Sequence, residues 1–241
     1  MTHPTDATNA TYRESWERYW TGVSEPGAPL WDSDPTEAVL ADLPRFLPHL
    51  DAALPLLDVG CGNGTQSPAL ARSGARVLGV DVSPAGIALC QANHGGLEFR
   101  VLDLLDDNAV ARLHTELGDM NLYVRTVIHQ LGDADRQPAI RNLATMLGAR
   151  GRAFVFELSH AAEAYFQYLF VEFGGPPPKL DRVLGSGIRP AALADGELRA
   201  LFAEAGCAAL ATGKGAVHST LTLPAGYRAM IPADWAVFAR T

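Results

Sequence analysis

From Leu54 onward, short apolar runs alternate with stretches of helical period along the chain. Leu56–Val59 is apolar and ends in glycines, as a buried parallel strand does. Arg76–Val80, Leu97–Leu102, Asn121–Ile128 and Arg152–Leu158 read as four further strands. Between them the periodicity predicts helices over Ser67–Ser73, from Ser83 to near Asn93, over Asn108–Leu117, and from Asp133 or Asp135 to Leu147. Ser83 followed by Pro84 starts a helix well, with serine as N-cap and proline in the first position. Ala161–Phe173 reads as a helix, Gly174–Pro190 as a Gly/Pro-rich insertion, and Asp195 as the cap of a helix that stops at Gly206. Cys207–Thr212 and Ala233–Ala239 are the last strand candidates. Strands alternating with helices of about ten residues predict an α/β, doubly wound sheet.

Ahead of this core, Tyr12, Trp16, Tyr19 and Trp20 recur at helical spacing within residues 11–22, after a polar stretch over 1–10. A loop broken by Pro26, Gly27, Pro29 and Pro35 carries Trp31, and a helix from about Thr36 to Phe46 should follow. The chain thus divides into an N-terminal helical lid, 1–50, and a ligand-binding domain, 51–241. Its 241 residues suit one well-buried core. A net charge of −8 with no basic block argues against nucleic acid or an anionic membrane surface as partner. Cys61, Cys90 and Cys207 have neither disulfide-framework nor zinc-site spacing, so no metal is expected and a reducing cytoplasm fits best. Residues 1–10 lack a signal-peptide core, and no uncharged apolar run approaches a membrane span.

The candidate chemistry begins at Leu56-Leu57-Asp58-Val59-Gly60-Cys61-Gly62-Asn63-Gly64. Glycines between a buried strand and a helix let the backbone turn tightly and approach a ligand. Asp81, about twenty residues on at the end of the second strand, can accept hydrogen bonds from both hydroxyls of a ribose. Dinucleotide sites use GxGxxG, with pyrophosphate on the helix N-terminus. The spacing here is GxGxG, with Thr65 next and Asp58 two residues before the first glycine. That combination suits a ligand with an ammonium group and no phosphates. Asp58 could equally be a buried acid that bonds the loop amides.

Leu56–Gly64 followed by Gly79–Ser83 resembles motifs I and II of class I S-adenosylmethionine-dependent methyltransferases, and the similarity runs from about Leu54 to Ser159. The resemblance implies a Rossmann-like, seven-stranded sheet with its last strand antiparallel, and S-adenosyl-L-methionine as cofactor. It implies that Asp58 and the backbone of Gly60, Cys61, Gly62 and Gly64 hold the methionine part. Asp81 would hold the ribose and Val82 would face the adenine, with Asp103 at its amino group and Leu104 on the ring. Asp103 alone could as easily be a turn residue.

The segment Tyr123–Leu131 corresponds to the family's fourth motif, which passes beneath the sulfonium into the acceptor pocket. Arg125 interrupts an apolar strand and could meet the cofactor carboxylate, an anionic substrate or a strand-end partner. His129 is the candidate general base, with a pocket-wall or helix-capping histidine as the alternative, and His160 is a second candidate. Trp20 and Trp31 are expected to touch ligand, whereas Tyr12 and Trp16 staple their helix to the core. In the insertion after strand five, Phe166, Phe170 and Phe173 should face one way and Tyr165 and Tyr168 the other, with Phe166 against the substrate. The function expected is methyl transfer to O, N or S of a small organic metabolite of secondary metabolism. The alternatives are a protein of the same fold that binds the cofactor without methylating, and a nicotinamide oxidoreductase, which the glycine spacing disfavours.

Overall fold

In the computed structural model, residues 4–23, 29–189 and 191–241 are described, with side chains from residue 12 on. Residues 1–3, residues 24–28 of the proline-broken loop, and Pro190 at the end of the insertion lie outside the described residues.

Strand β1 (Leu56–Val59) is buried along its whole length, as expected of the central strand of a sheet covered on both faces. The other strands are β2 (Val77–Asp81), β3 (Glu98–Val101), β4 (Asn121–Arg125), β5 (Arg152–Leu158), β6 (Cys207–Thr222) and β7 (Arg228–Arg240). Among the described residues they form one seven-stranded sheet in the order β3-β2-β1-β4-β5-β7-β6. The first five pair in parallel, and β7 runs antiparallel to both β5 and β6. The fold is the doubly wound, Rossmann-like one expected, with its last strand antiparallel.

Alternation along the strands feeds two cores. Leu56, Tyr123, Phe154 and Phe156 point to one face, where they meet α1 (Pro4–Thr21), α2 (Val39–Phe46), α7 (Ala161–Phe173) and α8 (Pro178–Gly185). Leu57, Val59, Leu78, Val124 and Val155 point to the other, toward α5 (Asp107–Leu117), α6 (Asp133–Leu147) and α9 (Glu197–Glu204). The short α3 (Ser67–Ala71) and α4 (Pro84–Asn93) link β1 to β2 and β2 to β3. Ser83 caps α4 as expected, its hydroxyl accepting from the Gly86 amide at 3.1 Å. The strand order reverses between β1 and β4, which opens a crevice at their carboxyl ends.

Several boundaries differ from expectation. The fourth strand stops at Arg125, because Thr126 turns into the left-handed region (φ 58°) and Ile128–Gln130 forms a single 3-10 turn. The insertion contains α8, which starts on Pro178. Gly132 and Gly196, rather than aspartates, occupy the N-cap positions of α6 and α9, and Glu197 accepts from the Ala194 amide (2.8 Å). Strand β6 continues ten residues past Thr212, to Thr222.

Candidate active site

The first structural demand falls on the turn after β1. Its start is tied to the end of β2 by the amides of Gly60 and Cys61, which both donate to the Val80 carbonyl (2.8 and 3.0 Å). The chain then passes through left-handed conformations at Gly60 and Gly62 (φ 69° and 57°). The Gly62 amide donates to Asp81 Oδ2, and the Ser83 amide donates to Asp81 Oδ1, each at 2.9 Å. One carboxylate therefore fixes both the glycine turn and the entry to α4. Burial lifts the Asp81 carboxyl to about 6, against the pull of these amide donors. Asp58 is buried beneath the same turn, accepts from the Ser67 hydroxyl (2.6 Å), and is also lifted by burial to about 6.

These acids edge a cleft with about 990 Å³ of empty space, part of it open to solvent. Helix α1 covers one side, and Trp20 lies against the glycine turn and the first turn of α4, touching the positions of Gly62 and Gly86. Glu17 of α1 accepts from the Ser83 hydroxyl (2.5 Å) and the Ala85 amide (3.0 Å), a carboxylate placed at a helix N-terminus where it is favoured. Arg13 reaches Asp103 at 3.6 Å, and Arg18 donates to the Ser186 carbonyl beyond α8 (2.9 Å). The loop that follows α1 is held by the polar end of the glycine motif. Asn63 Nδ2 donates to Asp32 (3.0 Å), and Gln66 Nε2 donates to the Ser33 carbonyl (2.8 Å).

At the far end of the cleft, Arg125 Nη1 donates to Asp42 of α2 (2.9 Å), and its guanidinium lies 4.2 Å from the Phe156 ring centre. Tyr123 donates its hydroxyl to the same Asp42 oxygen (2.9 Å). Among the described residues, Arg125 Nη2 is buried with no hydrogen-bond partner. Burial pushes the Asp42 carboxyl up, with Arg125 pulling the other way.

Thr126 marks the passage to a second space. It is the one non-glycine position with positive φ among the described residues, and such a conformation strains a β-branched side chain. Thr126, Trp31 and Gln130 border both the cleft and a second cavity with about 400 Å³ of empty space, part of it open to solvent. His129 forms part of the second cavity's wall. It is 2% exposed, and its Nδ1 donates to Glu157 Oε2 at 2.6 Å. The Glu157 carboxylate also accepts from the amides of Val127, Ile128 and His129 (2.9, 2.9 and 3.2 Å). With Nδ1 engaged as donor, the lone pair of His129 is on Nε2, where Gln130 Nε2 donates to it (2.7 Å).

Of the residues singled out in the sequence, Asp58, Gly60, Cys61, Gly62, Asp81, Val82, Asp103, Leu104, Arg125, Trp20 and Trp31 all border the cleft. Trp31, His129 and Phe166 border the second cavity. Gly64 stands apart: it backs onto Cys90 and His94, away from the cleft. His160 starts α7 with 62% of its side chain exposed, 3.8 Å from Glu163, and borders neither space. Tyr12 and Trp16 line the cleft as well as packing on the core, so the division between stapling and ligand-facing aromatics does not hold. Nor does the split along α7, because Tyr165 turns inward and its hydroxyl accepts from the Met230 amide (3.2 Å).

The sequence reading missed Asn63, Gln66, Thr126, Gln130 and Glu157. Glu157 had a signal, an acid inside an apolar strand, of the same kind that exposed Arg125. Among the described residues no group of three His, Cys, Asp or Glu is arranged to hold a metal, and no helix is long and apolar enough to cross a membrane.

A family model described as "Methyltransferase domain" matches residues 56–151. A ubiquinone biosynthesis O-methyltransferase from Aeromonas salmonicida is 29% identical over 117 residues, 47% of each chain. One from Hahella chejuensis is 34% identical over 114 residues, 44% of this chain and 39% of that protein. The chain thus spans less than half the length of these two curated relatives. A crystal structure of an S-adenosylmethionine-dependent methyltransferase from Anabaena variabilis superposes with a TM-score of 0.90 at 33% identity, covering 95% of both chains.

Proposed function

The chain belongs to the family of S-adenosylmethionine-dependent methyltransferases, and on that premise we propose that it transfers a methyl group to O, N or S of a small organic metabolite of secondary metabolism. The observation that carries this reading is the meeting of two spaces at Thr126, Trp31 and Gln130, one edged by buried acids and the other apolar. The cofactor is S-adenosyl-L-methionine, which supplies, when bound, a methyl group on a positively charged sulfur.

The residues of the cleft fit that group. Asp58 and the turn at Gly60–Gly62 suit the ammonium-bearing methionine end. Asp81, whose two oxygens each already accept an amide, has lone pairs left for the ribose hydroxyls. Val82 and Leu104 flank the adenine, with Asp103 at its amino group. Arg125 Nη2, a buried donor lacking a partner among the described residues, suits the methionine carboxylate. Trp20 and Trp16 shield the centre from water, and aromatic faces favour a cationic sulfur.

On the acceptor side, His129 Nε2 can take a proton once an incoming hydroxyl displaces the Gln130 amide that donates to it in the free protein (2.7 Å), and Glu157 fixes the ring so that Nδ1 keeps its own. Methyl transfer from an activated donor draws much of its rate from alignment in a dry site. Rigid placement of the 127–130 turn by one carboxylate serves that end. The reading is supported if the protein binds S-adenosylhomocysteine by calorimetry and moves labelled methyl from the cofactor to one of a panel of hydroxy, amino and thiol metabolites. O-methyl transfer, the reaction named for the curated relatives, is the first to assay. No binding of S-adenosylhomocysteine would reject it.

A further inference from the structure

The chemistry of the second cavity narrows the acceptor, granted the methyl-transfer reading above. Its body is hydrocarbon: Leu180 and Val183 come from α8, Phe166 from α7, and Val217 and Ile231 from facing positions on β6 and β7. No Asp, Glu, Lys or Arg borders it among the described residues. A carboxylate, phosphate or ammonium held there would lose its hydration with nothing of opposite charge to replace it.

The polar groups gather at the end that meets the cofactor cleft, and they have a bias. His129 carries its lone pair on Nε2, because Glu157 holds the proton on Nδ1, and in the free protein Gln130 Nε2 donates to that lone pair at 2.7 Å. Gln130 Oε1 is buried and, among the described residues, accepts from nothing. The Thr126 hydroxyl proton is committed to the Arg125 carbonyl (2.6 Å), which leaves the oxygen as a further acceptor. Two open acceptors, beside a third that is covered by the Gln130 amide, call for a donor on the incoming molecule.

A neutral donor is either a hydroxyl or an amine. A neutral amine already owns the electron pair it needs and gives up its proton after transfer. A hydroxyl gains from losing its proton as the bond forms, which is the task of a buried imidazole with a fixed tautomer. We propose that this cavity takes a neutral, largely apolar acceptor that presents a single hydroxyl of phenol or enol type to His129 and Gln130. In the transfer, the acceptor oxygen forms the O–CH3 bond with its own electron pair and the S–CH3 pair stays on sulfur. The incoming hydroxyl displaces the Gln130 amide from His129 Nε2, its proton passes to that nitrogen as the O–CH3 bond forms, and the proton leaves to solvent with the product.

The test titrates the protein, saturated with S-adenosylhomocysteine, with 4-hexylphenol, 4-hexylbenzoate and hexylbenzene by calorimetry. The phenol should bind at least tenfold tighter than either of the others. Gln130→Leu should weaken the phenol roughly tenfold, the effect of one hydrogen bond, and leave hexylbenzene unchanged. Val217→Asp should abolish phenol binding while S-adenosylhomocysteine still binds, which also verifies the fold of that variant. Benzoate equal to or tighter than phenol, or no binding of the phenol beside intact cofactor binding, overturns the inference and leaves the cofactor assignment standing. Failure of S-adenosylhomocysteine to bind counts against methyl transfer itself, and the same three probes on the free protein still decide what the cavity prefers.

Discussion

Trp20 lies directly over Gly62: a Cβ on that glycine would stand 2.6 Å from Cζ2 of the indole. The glycine is thus required twice, for its left-handed backbone (φ 57°) and for the ring above it. Gly62→Ala should strain the turn by about 1–2 kcal/mol and also push α1 off the cleft. We expect S-adenosylhomocysteine affinity to fall by at least a hundredfold, with a change in tryptophan fluorescence. Wild-type affinity in this variant would remove the turn from the cofactor site.

The two buried acids predict opposite responses to pH. Asp58 and Asp81 have folded-state pKa values raised to about 6 by burial, above their unfolded value. Between about pH 4 and pH 6 the free protein therefore binds more protons folded than unfolded, so these groups add stability as pH falls through that window. Cofactor binding needs them ionised and should weaken over the same window. The check is a difference experiment. Asp81→Asn should flatten part of the pH dependence of S-adenosylhomocysteine binding while weakening it at pH 7.5. A binding curve independent of pH between 5 and 7 in the wild type would contradict the assignment.

Asp42 and Arg125 form a buried pair, 2% and 9% exposed. Removing one partner strands the other charge, so Asp42→Asn should cost about 3–5 kcal/mol of stability in urea unfolding. Replacing both, as Asp42→Asn with Arg125→Met, should restore part of that loss. The double variant should still bind S-adenosylhomocysteine weakly, because the donor assigned to the carboxylate is gone. If the double variant bound as tightly as the wild type, Arg125 would be structural alone.

Glu157 offers a way to separate positioning from proton transfer. His129→Ala should lower kcat by about a hundredfold or more, with cofactor affinity unchanged. Glu157→Gln keeps the volume and one acceptor for the 127–129 amides but loses the charge beside the imidazole. It should lower kcat, with cofactor affinity within a few-fold of wild type. An unchanged kcat in Glu157→Gln would show that the carboxylate does no more than hold the turn.

How much of this was legible depended on whether a signal was local. The acids Asp58 and Asp81 sit in or at the end of apolar strands next to glycines, and both border the cleft. The seven strands were all located, yet β6 was cut short at Thr212. Gly213 and Gly215 lie just past that end, and each makes room for an aromatic ring. A Cβ at Gly213 would meet Trp235 at 2.6 Å and one at Gly215 would meet Phe156 at 2.9 Å. Helix α8 was hidden by Gly174, Gly175 and three consecutive prolines, the last of which is its first residue. Glu157 and Thr126 could not be placed from sequence. The role of Glu157 depends on β5 lying beside β4, and that of Thr126 on a backbone angle that no residue type announces.

The long hairpin of β6 and β7 has a consequence for how this protein can change over generations. Its inner half completes the sheet, and Val217 facing Ile231 on the outer half walls the second cavity. The glycine turn follows β1, three places away in the strand order from β7. Because side chains alternate along a strand, a single inserted or deleted residue near the irregularity between His218 and Thr222 would exchange the inward and outward sets there. Small edits at the hairpin tip can therefore reshape the second cavity in descendants of this chain while the glycine turn is inherited intact.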